Sequence, residues 1–124
     1  MTDREMLELA ARAAGYVVDS FEGGDHGAWV YEKHAPVDKW HDSIKIFWNP
    51  LKDKADAFDL MVKLHLLIMP YPLDKAVRVT RLDRPDTVVY WNECNNNPTA
   101  ATMLAITRAA AEIGKLMNTT GETT

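Results

Sequence analysis

Four histidines, one cysteine and eighteen carboxylates are the residues of this chain best equipped for chemistry. His26, His34 and His41 recur at intervals of eight and seven, with Asp25 and Asp42 beside them. Zinc sites usually set their ligands in tight pairs, such as histidines four apart on a helix or cysteines two apart. That pattern is missing, so no metal is expected. His65 borders an apolar run and reads as a boundary residue. A nucleophile needs an activating base and an oxyanion hole. Ser20 and Ser43 lack a glycine-flanked elbow, and Cys94 has no neighbouring histidine in sequence. The carboxylate pairs Asp53 with Asp56, and Asp83 with Asp86, stand where a helix start and a turn want acids. Gly23-Gly24 lacks the spacing and the following helix of a phosphate loop. The expectation is therefore a protein that is not an enzyme and holds no cofactor.

Binding is the chemistry that remains. Lys75, Arg78, Arg81 and Arg84 fall within ten positions and suggest an anion-binding strip, with Lys75, Arg78 and Arg81 as its candidates. Such a strip would suit a nucleotide-like small ligand. Trp29, Tyr31, Trp40, Phe47, Trp48, Tyr90 and Trp91 concentrate in strand-like segments and one loop. Most are core material, with Trp48 the clearest plug. Trp40-His41 lies in a polar loop and is the candidate contact, because tryptophan is enriched at binding hot spots.

The elements that position these residues follow from pattern. Thr2-Asp3-Arg4-Glu5 matches a capping box and opens a helix over 3–14, which Gly15 stops. Tyr16–Phe21 and Ala28–Lys33 read as two strands joined by a glycine-rich turn, and Ser43–Trp48 as a third. Asp53 caps a second helix, expected over 53–69 and ended by Pro70 and Pro72. One apolar stripe holds Ala57, Leu60, Met61, Leu64, Leu67 and Ile68. A second side holds Phe58, Val62, Leu66 and Met69. A helix apolar on two sides must be covered on two sides. Phe58, Val62 and Leu66 are therefore candidates for a partner interface or a homodimer seam. Ala76–Leu82 and Thr87–Asn92 form a hairpin. Asn97-Pro98 starts a third helix over 98–117, and 118–124 is expected to be a mobile tail.

The expected architecture is α+β: one domain over 1–117, about five mostly antiparallel strands and three helices, in the order α-β-β-β-α-β-β-α. The chain has 124 residues, enough to bury about two-thirds of its extended surface without disulfides or metal. Its net charge is −4, uneven along its length: residues 1–62 hold 7 basic and 12 acidic residues, the remainder 7 and 6. Sequence-independent nucleic-acid binders carry a basic excess, so nucleic acid is not an expected partner. A lone cysteine, a polar start and no long apolar run suggest a cytoplasmic protein that does not enter the membrane.

Three segments together resemble a known group. They are the alanine-rich opening helix after Met1-Thr2-Asp3-Arg4-Glu5, then Trp48-Asn49-Pro50-Leu51 with the acidic helix start after it, then Asn97-Pro98-Thr99-Ala100-Ala101 leading to Ile113-Gly114. They cover about half the chain. The pattern resembles small tailed-phage and prophage accessory proteins, broadly of the NinX type. The resemblance implies a viral origin, residence in the host cytoplasm and action by binding a host or phage protein, in host takeover or counter-defence. It carries over no catalytic or binding residue.

Overall fold

A computed structural model describes residues 2–21, 27–32, 46–81 and 84–119. Helix α1 (Asp3–Ala14) leads into strands β1 (Tyr16–Phe21), β2 (Ala28–Glu32) and β3 (Ile46–Trp48). Helix α2 (Lys54–Leu64) and strands β4 (Leu67–Tyr71), β5 (Ala76–Arg81) and β6 (Arg84–Tyr90) follow, and α3 (Pro98–Thr119) closes the order. The fold is a single α+β domain, α-β-β-β-α-β-β-β-α, with two antiparallel three-stranded sheets, β1-β2-β3 and β4-β5-β6.

The second helix is shorter than its apolar pattern suggested. It stops at Leu64 instead of Met69, because His65 adopts a left-handed backbone (φ 55°) and its N–H bonds to the Met61 and Val62 carbonyls. The chain then turns into β4, which pairs with β5 from Leu67↔Thr80 to Tyr71↔Ala76. The sixth strand, absent from the expected order, is this segment. It also resolves the two-sided helix, since Leu66 and Met69 lie beyond its end. Smaller differences sit at other ends. β6 begins at Arg84 and gives way after Tyr90 to a short 3₁₀ turn over Trp91–Cys94. The α3 backbone runs two residues past the expected boundary, to Thr119.

The cap residues behave as their types dictate. Thr2 Oγ1 accepts the Glu5 N–H at 3.2 Å, and Asn97 Oδ1 accepts the Ala100 N–H at 3.0 Å. Gly15 closes α1 at φ 84°. Trp48 is buried and meets Tyr16 edge-on, with ring centroids 5.6 Å apart. On the second sheet, Val77, Val79 and Val89 face inward against α3 and are buried.

The most extensive packing between elements is that of α1 on α3. Its seam is small: Ala10, Ala11, Ala110 and Ala111 are all fully buried, with Gly114 among them. A Cβ on Gly114 would overlap the Leu9 carbonyl oxygen and stand 2.8 Å from the carbonyl carbon. Backbone cannot yield there as a flexible side chain could. Gly114→Ala is expected to lower stability by about 1–3 kcal/mol, the usual cost of overpacking, in spite of alanine's better helix propensity. Urea denaturation of the two proteins checks this.

Candidate functional site

The exposed apolar surface that sequence pattern assigned to a partner divides in the structure. Phe58 and Val62 are 60% and 54% exposed on α2. Leu66 is not part of that surface: it is 7% exposed, beyond the helix end, and belongs to the core. The physical reason is the left-handed turn at His65, which redirects the chain before the next helical turn can form. Trp40 and His41 lie outside the described residues, as do His26 and His34.

Beside Phe58 runs a groove of about 490 Å³ between α2 and the first turns of α3. Phe58 and Met61 form one wall, Met103 and Ile106 the other, and Ile68 of β4 also lines it. The positions follow from local rules. Asp53 Oδ1 accepts the Ala55 and Asp56 N–H groups at 2.8 and 3.2 Å and fixes the start of α2. Pro98 occupies the first turn of α3, where its missing N–H costs nothing. Thr102 donates its hydroxyl to the Pro98 carbonyl at 2.8 Å, so this polar group is satisfied within the helix. Met61 and Ile68 belong to the apolar stripe read from the sequence; that they and Met103 leave a cleft between two helices is a tertiary fact.

Among the described residues the groove has no carboxylate, histidine or thiol in its lining, and Lys54 is its one charged group. It can bury an apolar side chain, but holds no acid–base pair. Cys94 lies elsewhere, and burial together with the adjacent Glu93 carboxylate raises its pKa, against a smaller lowering by Arg108. That keeps the thiolate scarce at neutral pH. Among the described residues no group of three or more histidines, cysteines, aspartates or glutamates is placed to hold a metal, and no helix is long and apolar enough to cross a membrane.

The basic residues do not form one strip. Lys75 sits in a left-handed turn (φ 50°) and is exposed. Arg78 points outward on β5, its guanidinium 5.2 Å from the Tyr71 ring centroid and 3.3 Å from an Asp86 carboxylate oxygen. Arg81 instead lines a cavity of about 450 Å³ between β5, β6 and α3, with Arg108, Asp86 and Glu112. Arg108 is paired with Glu93 at 3.4 Å.

No protein-family model matches the chain, and no curated protein or solved structure is found similar to it.

One titratable group bears on how α2 is held. Asp56 Oδ2 accepts the Asn49 N–H at 2.8 Å and ties the helix to the turn before it. Burial raises the Asp56 pKa; the Asn49 bond opposes the rise, and the charges of Asp53 and Asp59 add to it. Its ionised form is thus less favourable in the folded chain than in the unfolded one. Stability is therefore lost as pH rises from the ordinary aspartate range through the raised value. Asp56→Asn removes that penalty and keeps an acceptor. It is expected to raise the Tm at neutral pH, with the gain fading as pH falls below the ordinary range. Asp56→Ala also loses the bond and should be about 1 kcal/mol less stable than Asp56→Asn. Thermal melts of the three proteins from pH 3 to 8 check both statements.

Proposed function

We propose that this chain acts without catalysis, by binding another protein through the exposed face of α2 and the groove beside it. The observation that carries the reading is the pair Phe58 and Val62, one helical turn apart and both more than half exposed, with Phe58 also lining an apolar cleft. Fully burying such a side chain is worth about 1.5–3 kcal/mol, so covering the exposed halves of the two adds roughly 2–3 kcal/mol, and most of the roughly 8 kcal/mol of a micromolar contact has to come from the groove and its surroundings. The groove offers a second copy of the chain, or an unrelated partner, a place for one apolar anchor. The resemblance to phage and prophage accessory proteins supplies the setting: a host or phage protein as partner, in the bacterial cytoplasm, with takeover or counter-defence as the outcome.

A second reading, a binder of nucleotide-like anions, draws on Arg81 and Arg108 in the cavity beside β6. It is weaker than the sequence suggested, because Lys75 and Arg78 lie outside that cavity's lining. Asp86 and Glu112 also line the same cavity and offset its two cations.

The test compares proteins retained from infected and uninfected bacterial lysate by the native chain and by Phe58→Asp. A partner retained stoichiometrically by the native chain and lost at least tenfold with Phe58→Asp is expected. Sedimentation of the purified chain reads the homodimer outcome. Equal retention by a folded Phe58→Asp would remove α2 from the interface. For the second reading, a nucleotide at a hundred times its dissociation constant would add about 2.7 kcal/mol of stability. No such thermal shift is expected.

A further inference from the structure

The outward face of the β4-β5-β6 sheet carries a feature that the groove does not share. Tyr71 pairs with Ala76, and Ala76 pairs with Tyr90, so the three residues form one row across the sheet. Adjacent strands lie about 4.8 Å apart, which sets the two tyrosine backbones about 9.6 Å apart. Between them is the smallest side chain of the row. Ala76 is 4% exposed and forms a floor, whereas Tyr90 is 54% exposed. A cavity of about 400 Å³ lies along the row and is bounded further by Asp74, Arg78 and Val88. Arg78 braces one wall: its guanidinium lies over the Tyr71 ring while Asp86 holds it from β6.

We propose that this slot binds a proline-rich segment of a partner protein in the polyproline II conformation. That helix has three residues per turn and rises about 3.1 Å per residue, so its side chains repeat every 9.3 Å or so. The repeat is close to the spacing of the two tyrosine backbones. A segment crossing the strands can seat one prolyl ring over Ala76, while residues a turn away pass outside each aromatic wall. Pro-rich ligands gain from such aromatic-lined slots because their conformation is set before binding. Charge favours peptide over nucleic acid as the occupant. Asp74 and Arg78, the charged residues that line the slot, balance each other, whereas a phosphodiester backbone draws its affinity from a cationic excess. Asp74 lines the slot and can accept a basic residue flanking the prolines.

The experiment is a fluorescence-polarisation titration of the full chain with a labelled proline decamer carrying one terminal arginine. A Gly-Ser peptide of the same length and charge and an oligothymidylate decamer serve as comparisons. The proline peptide should bind at least tenfold more tightly than either, and ¹H–¹⁵N shifts should centre on Tyr71, Ala76 and Tyr90. Tyr90→Ala should weaken it at least tenfold with an unchanged circular dichroism spectrum. If that variant does not fold, Tyr90→Leu keeps the bulk, removes the flat ring and should show the same loss. Phe58→Asp should bind the peptide normally, which separates this slot from the α2 groove. Equal affinity for the Gly-Ser peptide, or shifts centred elsewhere, would overturn the proposal. So would tighter, Tyr90-dependent binding of oligothymidylate, which would make the slot a nucleobase site.

Discussion

The approach of α1 to α3 at Gly114 is the contact on which the remaining architecture rests. Leu9 presents a backbone carbonyl where any side chain would stand, so the two helices meet backbone to backbone. Interhelical distance is set by the side chains at the crossing, and here they are glycine and alanine. The close seam keeps α1 against one face of α3 while other faces of α3 meet β5, β6 and α2. A 22-residue helix with that many neighbours needs small residues on one side and large ones on another. Its sequence shows both: Ala110 and Ala111 are fully buried, and Ile106 and Ile113 are nearly so. Among the described residues, Thr107 is the one buried polar residue of α3 that breaks the apolar pattern, and it donates its hydroxyl to the Met103 carbonyl at 2.8 Å. A buried hydroxyl satisfied within its own helix makes no demand on its neighbours.

Much of this was legible in the sequence because local chemistry decides it. Thr2, Asp53 and Asn97 have side chains that satisfy helix N–H groups, and Gly15 tolerates a positive φ, so helix starts and one stop could be read directly. The hairpin of β5 and β6 announced itself by alternation, with Val77 and Val79 inward and Arg78 outward. The end of α2 was not legible. Leu64, Leu66, Leu67, Ile68 and Met69 form a short apolar run, and periodicity alone cannot separate a buried helix from a strand over so few residues. His65 adopts a conformation that non-glycine residues seldom take, and no local signal marked it. What decides the matter is the pairing of Leu67–Tyr71 with β5, an interaction between segments that local rules do not see.

The same distinction explains which candidate residues share an exposed face. Phe58 and Val62 are four apart on a helix, so their shared face holds wherever the helix ends. Leu66 extended that series by four more and failed because the helix does not reach it. Lys75, Arg78 and Arg81 recur every third residue, a spacing that gathers side chains on a helix and disperses them on a strand. Successive strand residues alternate between faces, so Arg78 and Arg81 emerge on different sides of β5, with an irregular register between Val79 and Arg81. A cationic cluster in sequence thus became two ion environments, with Asp86 common to both.

Two surfaces of unlike character then remain on one small domain. The α2 groove is deepened by Met61 and Met103, whose unbranched thioethers can adapt to more than one anchor. The Tyr71–Ala76–Tyr90 slot differs: the strand ladder sets the spacing of its wall backbones before anything enters, and Arg78 lies over the Tyr71 ring. A fixed slot selects by fit, while an adaptable groove supplies area with little discrimination. The division has a structural root. The groove is lined by side chains of two helices and the inward side of β4, whereas the slot lies on the outward side of a hydrogen-bonded sheet. Helix walls can shift by side-chain rearrangement, but strands cannot change spacing without breaking their ladder.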